Sequence, residues 1–283
     1  MTQSYITQLE RQNGLPALHA AFLREALPRL HADERLIALA AGGSLLTEGM
    51  DEYSDLDLIV ATEPSAISRV MQERKQIAAT LGHLLVAFTG EHVGEPRLLI
   101  CLYGPSLLHV DLKFVSLPDM ASRVEDPVIL WEREDQLTAI LQATKAVYPA
   151  PDLQWLEDRF WVWMHYGATK LGRGELFEAL DFLAFLRFHV LGPLVLLAQG
   201  GRPAGVRKVE TQAPLYLPDL IHTTAPYDRV ACMRALQAVA AFYLKLRQHF
   251  ATEALTVRTE AEEAALRYLR EIEQRITEAG KVT

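Results

Sequence analysis

The chain has 283 residues, half of them hydrophobic and 23% charged, which suits a globular protein of one large domain or two ordinary ones. A formal net charge of -8 argues against a non-specific grip on DNA or RNA, which needs a basic face to release counterions from phosphates, so nucleic acid is not an expected partner. The only cysteines, Cys101 and Cys232, lie far apart without a CxxC or Cys/His cluster, which argues against zinc and reads as two buried free thiols. The opening MTQSYITQLERQNG has neither a basic start nor a continuous apolar run, and no stretch approaches the ~20 apolar residues of a membrane span. A cytoplasmic protein without a membrane partner is the expectation.

In chain order, ALHAAFLREALPRL (17 to 30) opens as a helix, and short apolar runs divided by turn residues follow it. Strands are predicted at Leu36 to Ala41, Leu56 to Ala61, Leu84 to Phe88, Leu98 to Tyr103 and Leu108 to Val115, with a helix over Ser65 to Leu81. This is an α/β (α+β) pattern, assigned to an N-terminal domain of residues 1 to 148. KAVYPAPDLQ (145 to 154), with two prolines around Ala150, reads as a linker whose Asp152 caps the next helix. Beyond it Leu156, Phe160, Trp163 or Met164, Gly167 and Leu171 recur at helical spacing, as do Leu176, Leu180, Leu183 and Leu186 within Glu175 to Leu191. Further helices are predicted over Arg229 to Phe250 and Glu260 to Ala279, making residues 149 to 283 an all-α helical bundle. The apolar HVLGPLVLLAQGG (189 to 201) is assigned to its core, as is the aromatic series Trp155, Phe160, Trp161, Trp163 and Tyr166.

GGSLLTEGMDEYSDLDLIV (42 to 60) carries the chemistry. On a strand, Asp55, Asp57 and Ile59 share one face while Leu56, Leu58 and Val60 share the other. Two carboxylates about 4 to 6 Å apart repel by several kcal/mol at an effective dielectric near 20, unless a cation lies between them. In LHVDLKFVS, likewise, Val110, Leu112 and Phe114 face the core while His109, Asp111 and Lys113 face out, so Asp111 is a third candidate ligand if the two strands are neighbours. Three carboxylates without Cys or His ligands suit magnesium better than zinc, and magnesium commonly completes its shell with substrate phosphates. Gly42, Gly43 and Ser44 follow the first strand and precede a helical turn, so bare backbone N–H groups and a hydroxyl can meet phosphate oxygens there. Together these parts describe a site for a metal-bound nucleoside triphosphate.

The Gly-Gly-Ser turn, the Ser-Asp-Leu-Asp-Leu strand about ten residues on, and a third aspartate on a later strand resemble the DNA polymerase β-like nucleotidyltransferase superfamily over roughly residues 35 to 116. The resemblance implies a mixed sheet backed by helices, two Mg2+ ions held by Asp55, Asp57 and Asp111, a triphosphate held by Gly43 and Ser44, and nucleotidyl transfer with release of pyrophosphate. It also implies that Asp111 takes the proton from the attacking hydroxyl. More loosely, YGATKLGRGELFEALDFLAFLR (166 to 187) is similar to the helical domain of the aminoglycoside and lincosamide nucleotidyltransferases, which implies a small-molecule hydroxyl as acceptor.

On the residues themselves, Lys170 and Arg173 sit where they reach triphosphate oxygens, with Lys113, Arg207 and Lys208 as rivals. Glu175 reads equally as a general base and as an acid favoured by a helix N-terminus, whereas Glu178 and Asp181 read as a solvated face. A protein or tRNA acceptor and a non-catalytic nucleotide sensor remain alternatives, and either a monomer or a homodimer is compatible with the sequence.

Overall fold

The computed structural model describes residues 14–46 and 50–279. The chain divides into two units, Met1–Tyr148 and Pro149–Thr283. In the first, α1 (Ala17–His31), β1 (Leu36–Ala41), β2 (Leu56–Thr62), α2 (Ile67–Thr80), β3 (His83–Gly90), β4 (Glu95–Gly104), β5 (Leu108–Ser116), β6 (Val128–Glu132) and α3 (Gln136–Ala143) build a six-stranded sheet in the order β3-β4-β5-β2-β1-β6. All neighbouring strands are antiparallel except β2 and β5, so the sheet is mixed.

Each face follows from its residues. β1, Leu-Ile-Ala-Leu-Ala-Ala, is buried at all six positions because both its faces are covered, which an uninterrupted apolar strand requires. On one side of the sheet Leu56, Leu58, Val60, Val110, Leu112 and Phe114 pack in one core with Leu23 and Leu27 of α1 and Val70 of α2. On the other side Ala61 and Val115 pack with Leu137 of α3, which closes the later half of that face. The earlier half, where Asp55, Asp57 and Asp111 stand, is only half-buried.

All five predicted strands form. β6 and α3 were not predicted, because β6 has only five residues between charged flanks and α3 only eight, too few to establish a period.

The second unit is helical: α4 (Leu153–Arg173), α5 (Leu176–Leu186), a π-helical stretch (Arg187–Leu191), α6 (Gly192–Ala198), α7 (Val209–Gln212), α8 (Leu217–His222), α9 (Arg229–Phe250) and α10 (Thr259–Ala279). Asp152 Oδ1 accepts from the Trp155 N–H at 2.9 Å and so starts α4, as its position after the two prolines predicts. One core runs from Phe160, Met164 and Leu171 through Leu183 and Leu194 to Leu236 and Leu269.

Two expectations need correction here. Leu176–Ala198 runs as one helical length of 23 residues, long and apolar enough to cross a membrane by length and composition, because the π-helical stretch carries the chain past Gly192 and Pro193. Half of its most apolar window is buried inside the protein. Not all the aromatic series is core either: Phe160 and Trp161 are buried, but Trp155 and Tyr166 are about two-fifths exposed. Eleven residues apart, those two share the α4 face opposite the buried stripe.

Candidate active site

Parallel pairing of β2 with β5 sets Asp57 directly opposite Asp111, and Asp55, two residues before Asp57, comes onto the same face. One carboxylate oxygen from each lies within 4.8 Å of the other two. Burial pushes the Asp111 carboxyl above its ordinary range; His109 opposes this and the charge of Asp55 adds to it. His109 Nε2 lies 2.9 Å from Asp111 Oδ1 and fixes that side chain in the manner of an outer-shell partner.

The donor set fits a hard divalent cation. At a magnesium–oxygen distance of about 2.0–2.1 Å, two ligands of one ion lie up to about 4.2 Å apart, so small rotations about the aspartate side-chain bonds bring these oxygens into one shell. Asp57 on β2, Asp55 just ahead of that strand and Asp111 on β5 would hold such an ion.

The glycine turn is built against this cluster. The Gly42 N–H donates to the Asp57 carbonyl at 2.9 Å, closing the end of β1 onto β2. Gly43 has φ +60°, and a Cβ there would stand 1.8 Å from Asp57 Oδ2, so the turn demands glycine on both conformation and space. Ser44 and Leu45 are buried in the 3-10 turn Gly43–Leu46, and Leu45 anchors it in the core. Thr47, Glu48 and Gly49 of the expected helical turn lie outside the described residues.

The approach to Asp55 is clamped as well. Tyr53 N–H donates to Asp51 Oδ1 and Ser54 Oγ bonds to Asp51, both at 3.0 Å. His19, 1% exposed, sets its Nε2 2.6 Å from the Ser54 carbonyl.

In the helical unit, Lys170, Arg173 and Glu175 come together at the junction of α4 and α5. Lys170 Nζ lies 2.8 Å from Glu175 and 2.9 Å from Glu178, and Arg173 lies 3.8 Å from Glu175. Hydrogen bonds that Lys170 donates to Glu175 and Glu178 raise its pKa, keeping it cationic. Tyr166 donates to Glu178 and lies beneath the Lys170 ammonium, 5.1 Å from ring centre to nitrogen. Beside this cluster Trp163, Tyr166, Phe182, Phe185, Glu178 and Asp181 line an open groove of about 480 Å³. Of the rival cations, Lys113 is drawn 2.7 Å from Glu95, whose carboxyl is held down to about 2 by Arg97, with Lys113 assisting.

Sequence reading missed His19 and Glu125. His19 sits on a helix with no motif around it. Glu125 accepts from the Gly43 N–H at 3.0 Å but comes from a loop 82 residues further on, where RVEDP gives no periodic signal.

No protein-family profile matches the chain, and no curated protein is similar to it in sequence. Among solved structures, an aminoglycoside 6-adenyltransferase from Bacillus subtilis overlaps 88% of this chain and 97% of its own, at 14% identity and a TM-score of 0.37. A nucleotidyltransferase-like protein from Exiguobacterium sibiricum overlaps 87% of this chain and 77% of its own, at 17% identity and a TM-score of 0.34. Neither overlap is close enough to assign an activity, so the residues of the chain have to carry it.

Proposed function

We propose that the protein is a nucleotidyltransferase that moves a nucleoside monophosphate, AMP in the leading reading, from a nucleoside triphosphate to a hydroxyl of a small, polycationic, antibiotic-like acceptor, with two Mg2+ ions and release of pyrophosphate. One observation carries the reading: three aspartate oxygens from neighbouring parallel strands lie within 4.8 Å beside a glycine-serine turn. Asp55, Asp57 and Asp111 would hold the metal. When bound, magnesium supplies Lewis-acid polarisation of the phosphoryl oxygens and neutralises charge on the transferring group. Gly43 and Ser44 take the β and γ phosphates, while Gly42, whose N–H is spent on the Asp57 carbonyl, contributes only the space its missing side chain leaves, so that the α phosphate lies toward the aspartates.

In the transfer, the acceptor oxygen bonds to the α phosphorus as the bond from that phosphorus to the bridging oxygen breaks, and pyrophosphate leaves. The acceptor proton goes to a carboxylate. Asp111 is favoured over Glu175 because it stands in the aspartate cluster toward which the α phosphate lies, while Glu175 is engaged by Lys170. Lys170 and Arg173 are the proposed cations for the leaving pyrophosphate. The aromatic groove rimmed by Asp181 supports a cationic acceptor, since ring faces and a carboxylate both attract ammonium groups, Glu178 being already paired with Lys170.

The test is pyrophosphate release by the purified protein with magnesium, each of the four nucleoside triphosphates, and a panel of aminoglycosides and lincosamides. Release that depends on one acceptor is the expected result. Silence with every small acceptor, together with α-label passing from the triphosphate into precipitable material of a lysate, would overturn the small-molecule acceptor in favour of protein or tRNA. Binding without any transfer would point to a sensor.

A further inference from the structure

The Gly43 N–H, which the nucleotide reading gives to a phosphate oxygen, already has an anionic partner inside the chain. It donates to Glu125 Oε1 at 3.0 Å, and a Cβ on Gly42 would come within 2.9 Å of the same oxygen. The carboxylate therefore lies in the hollow that two bare glycines open.

Its neighbours hold it there. Arg123, 7% exposed at its side chain, bonds Asp126 at 2.6 Å and donates to the carbonyls of Leu141 and Thr144, so the backbone on both sides of Glu125 is fixed while its own side chain keeps rotatable bonds. The turn has other supports besides this carboxylate, since the Gly42 N–H is bonded to the Asp57 carbonyl and Leu45 is buried beneath it. Carboxylate and phosphate oxygens make the same demand on a backbone N–H, and the two cannot use it together.

Resting on the nucleotide reading above, we propose that Glu125 is a built-in competitor for the triphosphate. It occupies the Gly43 N–H when no nucleotide is bound, and its side chain must swing out before a phosphate oxygen can take its place. The apparent affinity for nucleotide is then the intrinsic affinity multiplied by the fraction of molecules in which Glu125 is displaced.

The experiment is calorimetric titration of wild type, Glu125→Gln and Glu125→Ala with Mg·ATP, repeated with the other three triphosphates, each protein's folding being checked by thermal melting. Both variants should bind more tightly, Glu125→Ala by about five- to tenfold, as for a competent fraction of about 0.1 to 0.2 in the wild type. Weaker binding by the variants would overturn the proposal and make Glu125 a support of the turn; unchanged affinity would overturn it too. If no protein binds any triphosphate, the nucleotide reading falls and Glu125's role with it, whereas wild-type binding that the variants do not improve removes the Glu125 assignment alone. Should both variants fail to fold, the wild-type Gly43 amide resonance decides. It must move at saturating Mg·ATP, and a resonance that stays put overturns the exchange.

Discussion

Two groups of buried acid behave in opposite ways. In the helical unit Glu157, whose side chain is fully buried, accepts from Tyr243 Oη at 2.7 Å, Arg247 at 3.0 Å, the Arg258 N–H at 3.0 Å and Trp161 Nε1 at 3.3 Å. Burial alone would push its carboxyl up, but those donors and the Arg247 charge hold it below the ordinary range. On the sheet, Asp111 is half-buried beside Asp55, and its carboxyl goes up. The difference lies in the counter-charge: Glu157 has it supplied by the chain, whereas the aspartate face gathers negative charge that a cation from outside would neutralise.

The sharpest way to break this contrast is Asp55→Asn. Turnover should fall at least about a thousandfold, since several kcal/mol of metal-derived stabilisation is at stake, while circular dichroism and melting stay those of the wild type. Retained activity would end the catalytic assignment.

Glu157→Ala should do the reverse, costing stability rather than metal binding. About 3–5 kcal/mol is expected from donors left without an acceptor, read as a lower denaturant midpoint. Because the folded pKa of Glu157 lies below the ordinary 4.5, its contribution is present above pH 4.5 and lost as the pH falls through the folded value. The wild type should therefore lose more stability on acidification below pH 4.5 than the variant does.

Glycines sharpen the comparison further. Gly43 and Gly174 both have positive φ, but a Cβ at Gly174 meets nothing within 4 Å, whereas at Gly43 it meets Asp57. Gly174→Ala should cost about 1–2 kcal/mol from conformation alone. Gly43→Ala should cost more and also weaken magnesium binding, which a metal titration of the two variants would compare. For His109→Gln, about a 10- to 100-fold loss in magnesium affinity with little change in melting is expected, as for an outer-shell partner of a ligand.

Much of the fold was legible in advance. Alternation placed Leu56, Leu58 and Val60 on one face and the aspartates on the other, and the helical spacing of Leu156, Phe160 and Leu171 marked the stripe of α4 that is buried. The short elements escaped, as did Trp155 and Tyr166, because an aromatic residue is equally apolar whether it faces core or solvent. Glu178 and Asp181 read as a solvated face and are exposed, and the structure adds Trp163, Phe182 and Phe185 lining a groove beside them.

The sequence by itself determined which residues share a face, where strands give way to helices, and that a glycine turn precedes two aspartates, because these are properties of a few consecutive residues and their period. Only the tertiary structure decided that Asp57 stands opposite Asp111, that Glu125 reaches Gly43 across 82 positions, and that Glu157 draws donors from 86 to 101 residues away. Register and distant partners come from how whole elements pack to bury their apolar faces, and no local pattern encodes where that packing brings a polar atom.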